Sequence, residues 1–221
     1  MKKLIALSAV TVACVGASTA VAGTNGFYVP TYRGESGSQA GYWESFSVAV
    51  GAPGNKANFG NDTTSVLTQT QADAIAVGSG NIYNMPSASE FTISYSGSGP
   101  VGLVTLQART SGTELDYGSV SLNYGAGTLT ATRVELDRTS FGTPGVPGPQ
   151  GFNVSSAWTW DLSPYAASGY TISFKAAEPS LSFDSATLDT QVVPEPGTWA
   201  LAGLGVAAML LAGHRHSRRN G

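Results

Sequence analysis

Acid–base and nucleophilic chemistry near neutral pH rests mostly on histidine, cysteine or a matched pair of carboxylates. This chain has two histidines, His214 and His216, and one cysteine, Cys14, each close to an end. Residues 23–193 hold neither type. That excludes Ser-His-Asp and Cys-His centres there and argues against a transition-metal site. Paired carboxylates remain. Glu114 and Asp116 share one face of an expected strand, and Glu44 and Glu135 sit in two others. Two such groups could hydrolyse a glycosidic bond. Charged residues on an outward strand face are ordinary, however, so no catalytic residue is assigned and a glycoside hydrolase ranks last among the candidate functions. Gly97, Gly99 and Gly102 read as a turn, because no helix comes after them to cradle a phosphate.

Binding chemistry is the other option. Sugar rings stack on exposed aromatic faces while Asn, Asp and Gln reach their hydroxyls. Trp158 and Trp160 lie on one strand face, two residues apart. Filling the sandwich core is the favoured reading of that pair, with binding the alternative. Trp43 lies opposite Tyr42 and Phe46 in parity and is expected to face outward. These three tryptophans form the candidate platform for an extracellular polysaccharide. Gly60-Asn61-Asp62-Thr63 and the surroundings of Asp161 carry oxygen ligands that suit a structural calcium, without EF-hand spacing. No metal ligand and no cofactor is assigned.

Such residues need a scaffold, and composition indicates its class. Only 11 % of residues are charged, and 28 are glycine. Between residues 23 and 193 there are six basic and thirteen acidic side chains, an excess of about seven negative charges. A sparse, acidic surface excludes nucleic acid, which demands basic stripes. Many Ser, Thr and Gly with few charges fit an extracellular β protein.

Periodicity agrees. Residues 91–96, 120–124 and 170–175 alternate apolar and polar, as strands with one buried face do. Tyr42, Phe46, Val48 and Val50 share a face of another expected strand. Residues 101–108 are apolar on both parities, as a central strand would be. Gly125-Ala126-Gly127 predicts a tight hairpin between 119–124 and 128–136. The apolar parity changes between Ala131 and Val134, and again around Asp184-Ser185, which suggests two bulges. Residues 72–77 fit a helical turn or a short strand equally well. The Pro- and Gly-rich stretch 139–153 is expected to stay outside the sheets. Nine or ten strands without a sustained helix predict an all-β, two-sheet antiparallel sandwich of jelly-roll type, with a closed barrel as second choice.

Both ends read as targeting segments. Lys2-Lys3, an apolar run over 4–16 and Ala20-Val21-Ala22 form a secretory signal peptide over residues 1–22. Cleavage after Ala20 is an alternative, and so is lipidation of Cys14, although Thr11 stands where an aliphatic residue is expected. Without Cys14 the body has no disulfide and relies on its core. At the other end stands Val193-Pro194-Glu195-Pro196-Gly197-Thr198-Trp199, then an uncharged apolar run to Gly213, then Arg215, Arg218 and Arg219. Fifteen helical residues reach roughly 23 Å against a hydrocarbon core of about 30 Å, so a transmembrane helix is short but feasible with snorkelling arginines. The basic flank places everything before it outside the cytoplasm. A buried helix of a soluble domain is the alternative.

Pro194-Glu195-Pro196, Trp199 opening an apolar helix, and Arg218-Arg219 closing the chain together resemble the PEP-CTERM sorting signal of bacterial exported proteins. Gly197 departs from the serine frequent there, and His214 and His216 dilute the basic cluster. The resemblance implies recognition and removal of the tail by an exosortase, a membrane protease, so that the helix is a temporary anchor. It also implies a Gram-negative setting that produces exopolysaccharide. Residues 158–188 are more loosely similar to the last strands of exported sandwich domains of carbohydrate-binding type. The chain divides into a signal peptide (1–22), a β-sandwich (23–193) and a sorting signal (194–221). The expected function is a surface or matrix protein with a structural or adhesive role; the alternative is a glycan-binding module.

Overall fold

The computed structural model of the protein describes residues 26–142 and 150–193. The expected signal peptide and the apolar tail helix lie outside these residues. Among the described residues no helix is long and apolar enough to cross a membrane.

Two antiparallel sheets face each other. The first runs β11 (Val134–Phe141), β12 (Gly151–Asp161), β8 (Val101–Gly112), β14 (Leu181–Val192), β1 (Ser38–Trp43) and β3 (Phe59–Gly60). In the same sheet β6 (Ile82–Asn84) pairs with β14 and with β5 (Ile75–Ala76). The second runs β10 (Thr128–Thr130), β9 (Ser121–Asn123), β13 (Gly169–Lys175), β7 (Glu90–Ser96), β4 (Val66–Gln69) and β2 (Asn55–Lys56). The long-range pairings nest. β1 pairs with β14, β7 with β13, and β8 with β12, each further in along the chain and in alternate sheets.

The strands are explained by their side-chain periods. β7 and β13 bury every second residue, as one-sided strands must. Their inner residues meet those of the first sheet in one core, where Phe91 stacks on Phe183 across the gap at 4.5 Å and on Phe174 at 5.2 Å. β8 is buried on both parities because it lies between β12 and β14 and carries chain on both faces. The cover on its outer face is the segment 26–35. Gln107 of β8 accepts the Tyr28 N–H (2.9 Å) and donates to the Tyr28 carbonyl (2.9 Å). The Tyr32 hydroxyl donates to Thr105 (2.8 Å) and to the Asp189 carbonyl (3.2 Å). Arg33 forks onto the Asp189 carboxylate through Nε and Nη2 and donates to the Tyr42 hydroxyl. Polar outward residues of a central strand are thus buried and paired rather than solvated.

Several expectations change. The strand expected through Val50 stops at Trp43. Asn55 and Asn58 organise the turning backbone beyond it. Asn55 Oδ1 accepts the N–H groups of Ser47 and Val48 (2.9 Å each), and Asn58 Oδ1 those of Glu44 and Ser45 (2.7 and 2.9 Å). These side chains give that backbone the partners a neighbouring strand would otherwise supply. The 125–127 hairpin forms, but the parity change before Val134 is a crossing between sheets: β10 ends at Thr130 in the second sheet and β11 starts in the first. The bulge at Asp184 does form, as a register shift between Phe183 and Ser185. The ends of the 139–153 stretch belong to the sheet after all, since Thr139 to Phe141 pair with Asn153 to Gly151. Residues 143–149 lie outside the described residues.

Candidate functional site

The tryptophan platform does not exist. Trp43 is 0 % exposed, Trp158 1 % and Trp160 2 %. Trp43 pairs with Ala186, an inward position of β14, and its indole N–H donates to the Asn55 carbonyl (2.8 Å). Tyr42 points the other way, opposite Thr187, under the Arg33 guanidinium. Phe46 is buried as well, but it comes after the end of the strand, so alternation from Trp43 could not be carried to it.

Three of the four candidate carboxylates, Glu114, Glu135 and Asp116, are engaged in charge pairing, whereas Glu44 pairs with no Lys or Arg among the described residues. Arg138 donates to both oxygens of Glu114 (2.6 and 2.7 Å) and to Glu135 (3.2 Å). Arg133 donates to Glu135 (2.7 Å) and lies 3.7 Å above the Tyr117 ring, which in turn packs on Trp158. Tyr117 donates its hydroxyl to Glu114. Arg138 first, and Tyr117 after it, hold the Glu114 carboxyl at about 2, against an ordinary 4.5. Such a group stays ionised and is a poor general acid. Asp116 pairs loosely with Lys175 (3.6 Å) and caps a 3-10 turn at Tyr117–Ser119. Because the folded-state pKa of Glu114 is depressed, its contribution to stability is present above about pH 4.5 and disappears as pH falls towards 2. Glu114→Gln should therefore flatten the acid limb of stability between pH 4.5 and 2, as read by urea unfolding at a series of pH values; an unchanged limb would contradict the pairing.

The calcium candidates are also engaged. Asn61 accepts the Ala40 N–H (2.7 Å) and donates to the Ser38 carbonyl (3.0 Å). Asp62 Oδ1 accepts from the backbone of Thr64 and Ser65 while its buried Oδ2 has no hydrogen-bond partner among the described residues, and Asp161 Oδ1 accepts from the backbone of Ser163. Among the described residues no group of three or more His, Cys, Asp or Glu side chains stands close enough to hold a metal ion.

The structure instead gathers polar groups on the outer face of the first sheet. The lateral row Tyr83, Ser182, Ser111, Asn153 crosses β6, β14, β8 and β12. The β14 bulge turns Asp184 out beside that row, the usual effect of an extra residue in one strand. Asp184 accepts from Asn81 (2.5 Å), Ser182 (3.1 Å) and Ser111 (3.1 Å), and the Ser111 hydroxyl also reaches Asn153. Burial pushes the Asp184 carboxyl up, against these hydrogen bonds and the Arg109 charge. On one side of it lies a cavity of about 340 Å³ walled by Tyr83, Phe141, Gln150 and Ser182. On the other lies one of about 310 Å³ bounded by Glu44, Asn81, Arg109 and Asp184. Sequence reasoning missed this groove. Its one legible trace was the parity slip at Asp184-Ser185.

The candidate sorting residues Pro194, Glu195 and Pro196, and the basic Arg215, Arg218 and Arg219, lie outside the described residues. What the fold places is their point of departure. β14, between β8 and β1, ends at Val192, whose N–H donates to the Gly37 carbonyl (3.0 Å); the Val193 N–H donates to the Pro100 carbonyl (2.7 Å). The chain is hydrogen-bonded into the sandwich up to the residue before Pro194. The family model of the PEP-CTERM protein-sorting motif matches residues 192–219. The PEP-CTERM motif thus begins on the last residue of β14 and takes in Pro194-Glu195-Pro196 and Arg215, Arg218 and Arg219. It implies an exported protein handled by an exosortase. No curated protein matches the chain, and no solved structure does.

Proposed function

We propose that the sandwich is the displayed body of an exported surface or matrix protein with a structural or adhesive, non-enzymatic role. In this reading the leader over 1–22 directs export. The apolar run after Trp199 anchors the chain in the membrane with its arginines on the cytoplasmic side, and an exosortase removes it. The PEP-CTERM match at the chain's end is the observation that carries the proposal. Tight ion pairing of Glu114 and Glu135 supports the absence of catalysis. The nested pairings of β1 with β14, β7 with β13 and β8 with β12 support a jelly-roll winding. Glu195→Ala tests the sorting step. The variant body should accumulate uncut in the membrane fraction, whereas normal shortening and release would contradict it.

A glycan-binding role is the second reading, favoured by the groove around Asp184. There a carboxylate, a guanidinium, amides and hydroxyls line two neighbouring cavities, one of them walled by the rings of Tyr83 and Phe141, the mixture that sugar recognition uses. The sugar would be exopolysaccharide, and its contact would supply the adhesion.

A further inference from the structure

We propose that Arg109, Glu44 and Asp184 form a subsite for one ring of a neutral polysaccharide, gripping adjacent hydroxyls and rejecting acidic sugars. The proposal rests on the glycan-binding reading and assigns its site.

The first observation is a donor with capacity to spare. Arg109 stands on the outer face of β8 with its side chain 23 % exposed. Its nearest charge partner is Asp184, at 3.8 Å, beyond hydrogen-bond distance. Its row neighbours across β12 and β14 are Ser155 and Ser185, which carry one hydroxyl each. Two hydroxyls cannot serve the five N–H groups of a guanidinium, which are costly to hold half-dry without acceptors. Asp184 does not turn to Arg109 because Asn81, Ser182 and Ser111 already hold both carboxylate oxygens.

The second observation is an acceptor without a counter-charge. The Glu44 backbone N–H is taken by Asn58, but its exposed carboxylate pairs with no Lys or Arg among the described residues. Glu44 and Arg109 border the same cavity of about 310 Å³, within the range of about 300–1,000 Å³ usual for ligand pockets.

Charge decides the ligand class. Two carboxylates and one guanidinium leave the cavity with a net negative charge, so a uronate, sulfate or phosphate is repelled. A pair of adjacent hydroxyls fits instead, since each can donate to a carboxylate while accepting from the guanidinium. A polymer is favoured over a free sugar because the groove continues past Asp184 into the neighbouring cavity. There Tyr83 and Phe141 offer apolar faces to a second ring.

Affinity electrophoresis tests this with the full chain run through gels that contain a neutral β-glucan, xylan or galactomannan, or a polygalacturonate. At least one neutral polymer should retard the chain and polygalacturonate should not. Arg109→Gln and the exposed Glu44→Gln should each weaken the retarding contact by about tenfold, the loss of one charge-assisted hydrogen bond, and Glu44→Gln should do so without shifting the thermal midpoint. Retardation by a neutral polymer that both variants retain would overturn the subsite and leave the glycan-binding reading standing. Retardation by polygalacturonate that Arg109→Gln removes would overturn the neutral assignment. No retardation in any gel would overturn both.

Discussion

Replacing Arg33 with methionine is expected to lower the unfolding free energy by about 3–5 kcal/mol, the usual cost of leaving one partner of a buried ion pair alone. Asp189 is 0 % exposed, in the middle of β14, and Arg33 is its only cationic partner among the described residues. Burial already pushes the Asp189 carboxyl up, and the Arg33 fork pulls it back. Without that fork a buried charge must stay unpaired or take up a proton. The loss reaches beyond one residue, because Arg33 belongs to the segment that covers Gln107 and Thr105. Arg33→Lys keeps the charge but not the two parallel hydrogen bonds, so it should fall between the parent and the methionine variant. A double change, Arg33→Met with Asp189→Leu, should recover most of the loss, since an apolar pair of similar size needs no compensation. Urea unfolding at neutral pH measures all three. A cost below about 1 kcal/mol for Arg33→Met would show that the segment is not locked by this pair.

How much of the fold was legible in the sequence depends on how far each interaction reaches. β7, β9 and β13 were legible because the alternation over residues 91–96, 120–124 and 170–175 is a local property, fixed by which face meets the core. The Asp184 bulge was legible for the same reason, as a slip of parity. The direction of Trp43 was not. It depended on where β1 ends, and that end is set by Asn55 and Asn58, more than ten residues later. The slip before Val134 had two readings, a bulge or a change of sheet, and only the partners of β10 and β11 separate them. Nothing in the sequence joined Arg109 to Asp184, because the groove that brings them together is built from β8, β14 and the loop residues Glu44 and Asn81. The sorting motif was legible in full, since it is an order of residue types at the end of the chain and needs no tertiary contact to be recognised.

Cutting the chain after Val193 is expected to have the largest effect in the cell. The sandwich keeps the hydrogen bonds of β14, including Val192 to Gly37 and Val193 to Pro100, so the body should fold as before. What it loses is the whole of Pro194-Glu195-Pro196, the apolar run and Arg215, Arg218 and Arg219. A folded domain with about seven excess negative charges has little affinity for an anionic membrane surface by itself. The membrane-bound share should therefore fall to background, with no loss of unfolding free energy.

Pulse–chase labelling with fractionation, run side by side on the full chain and on the chain ending at Val193, tests the sorting account most directly. The full chain should pass through a membrane-bound precursor that shortens and is then released, while the truncated chain should reach its exported pool with no such precursor. Identical fractions and identical masses for the two chains would contradict it.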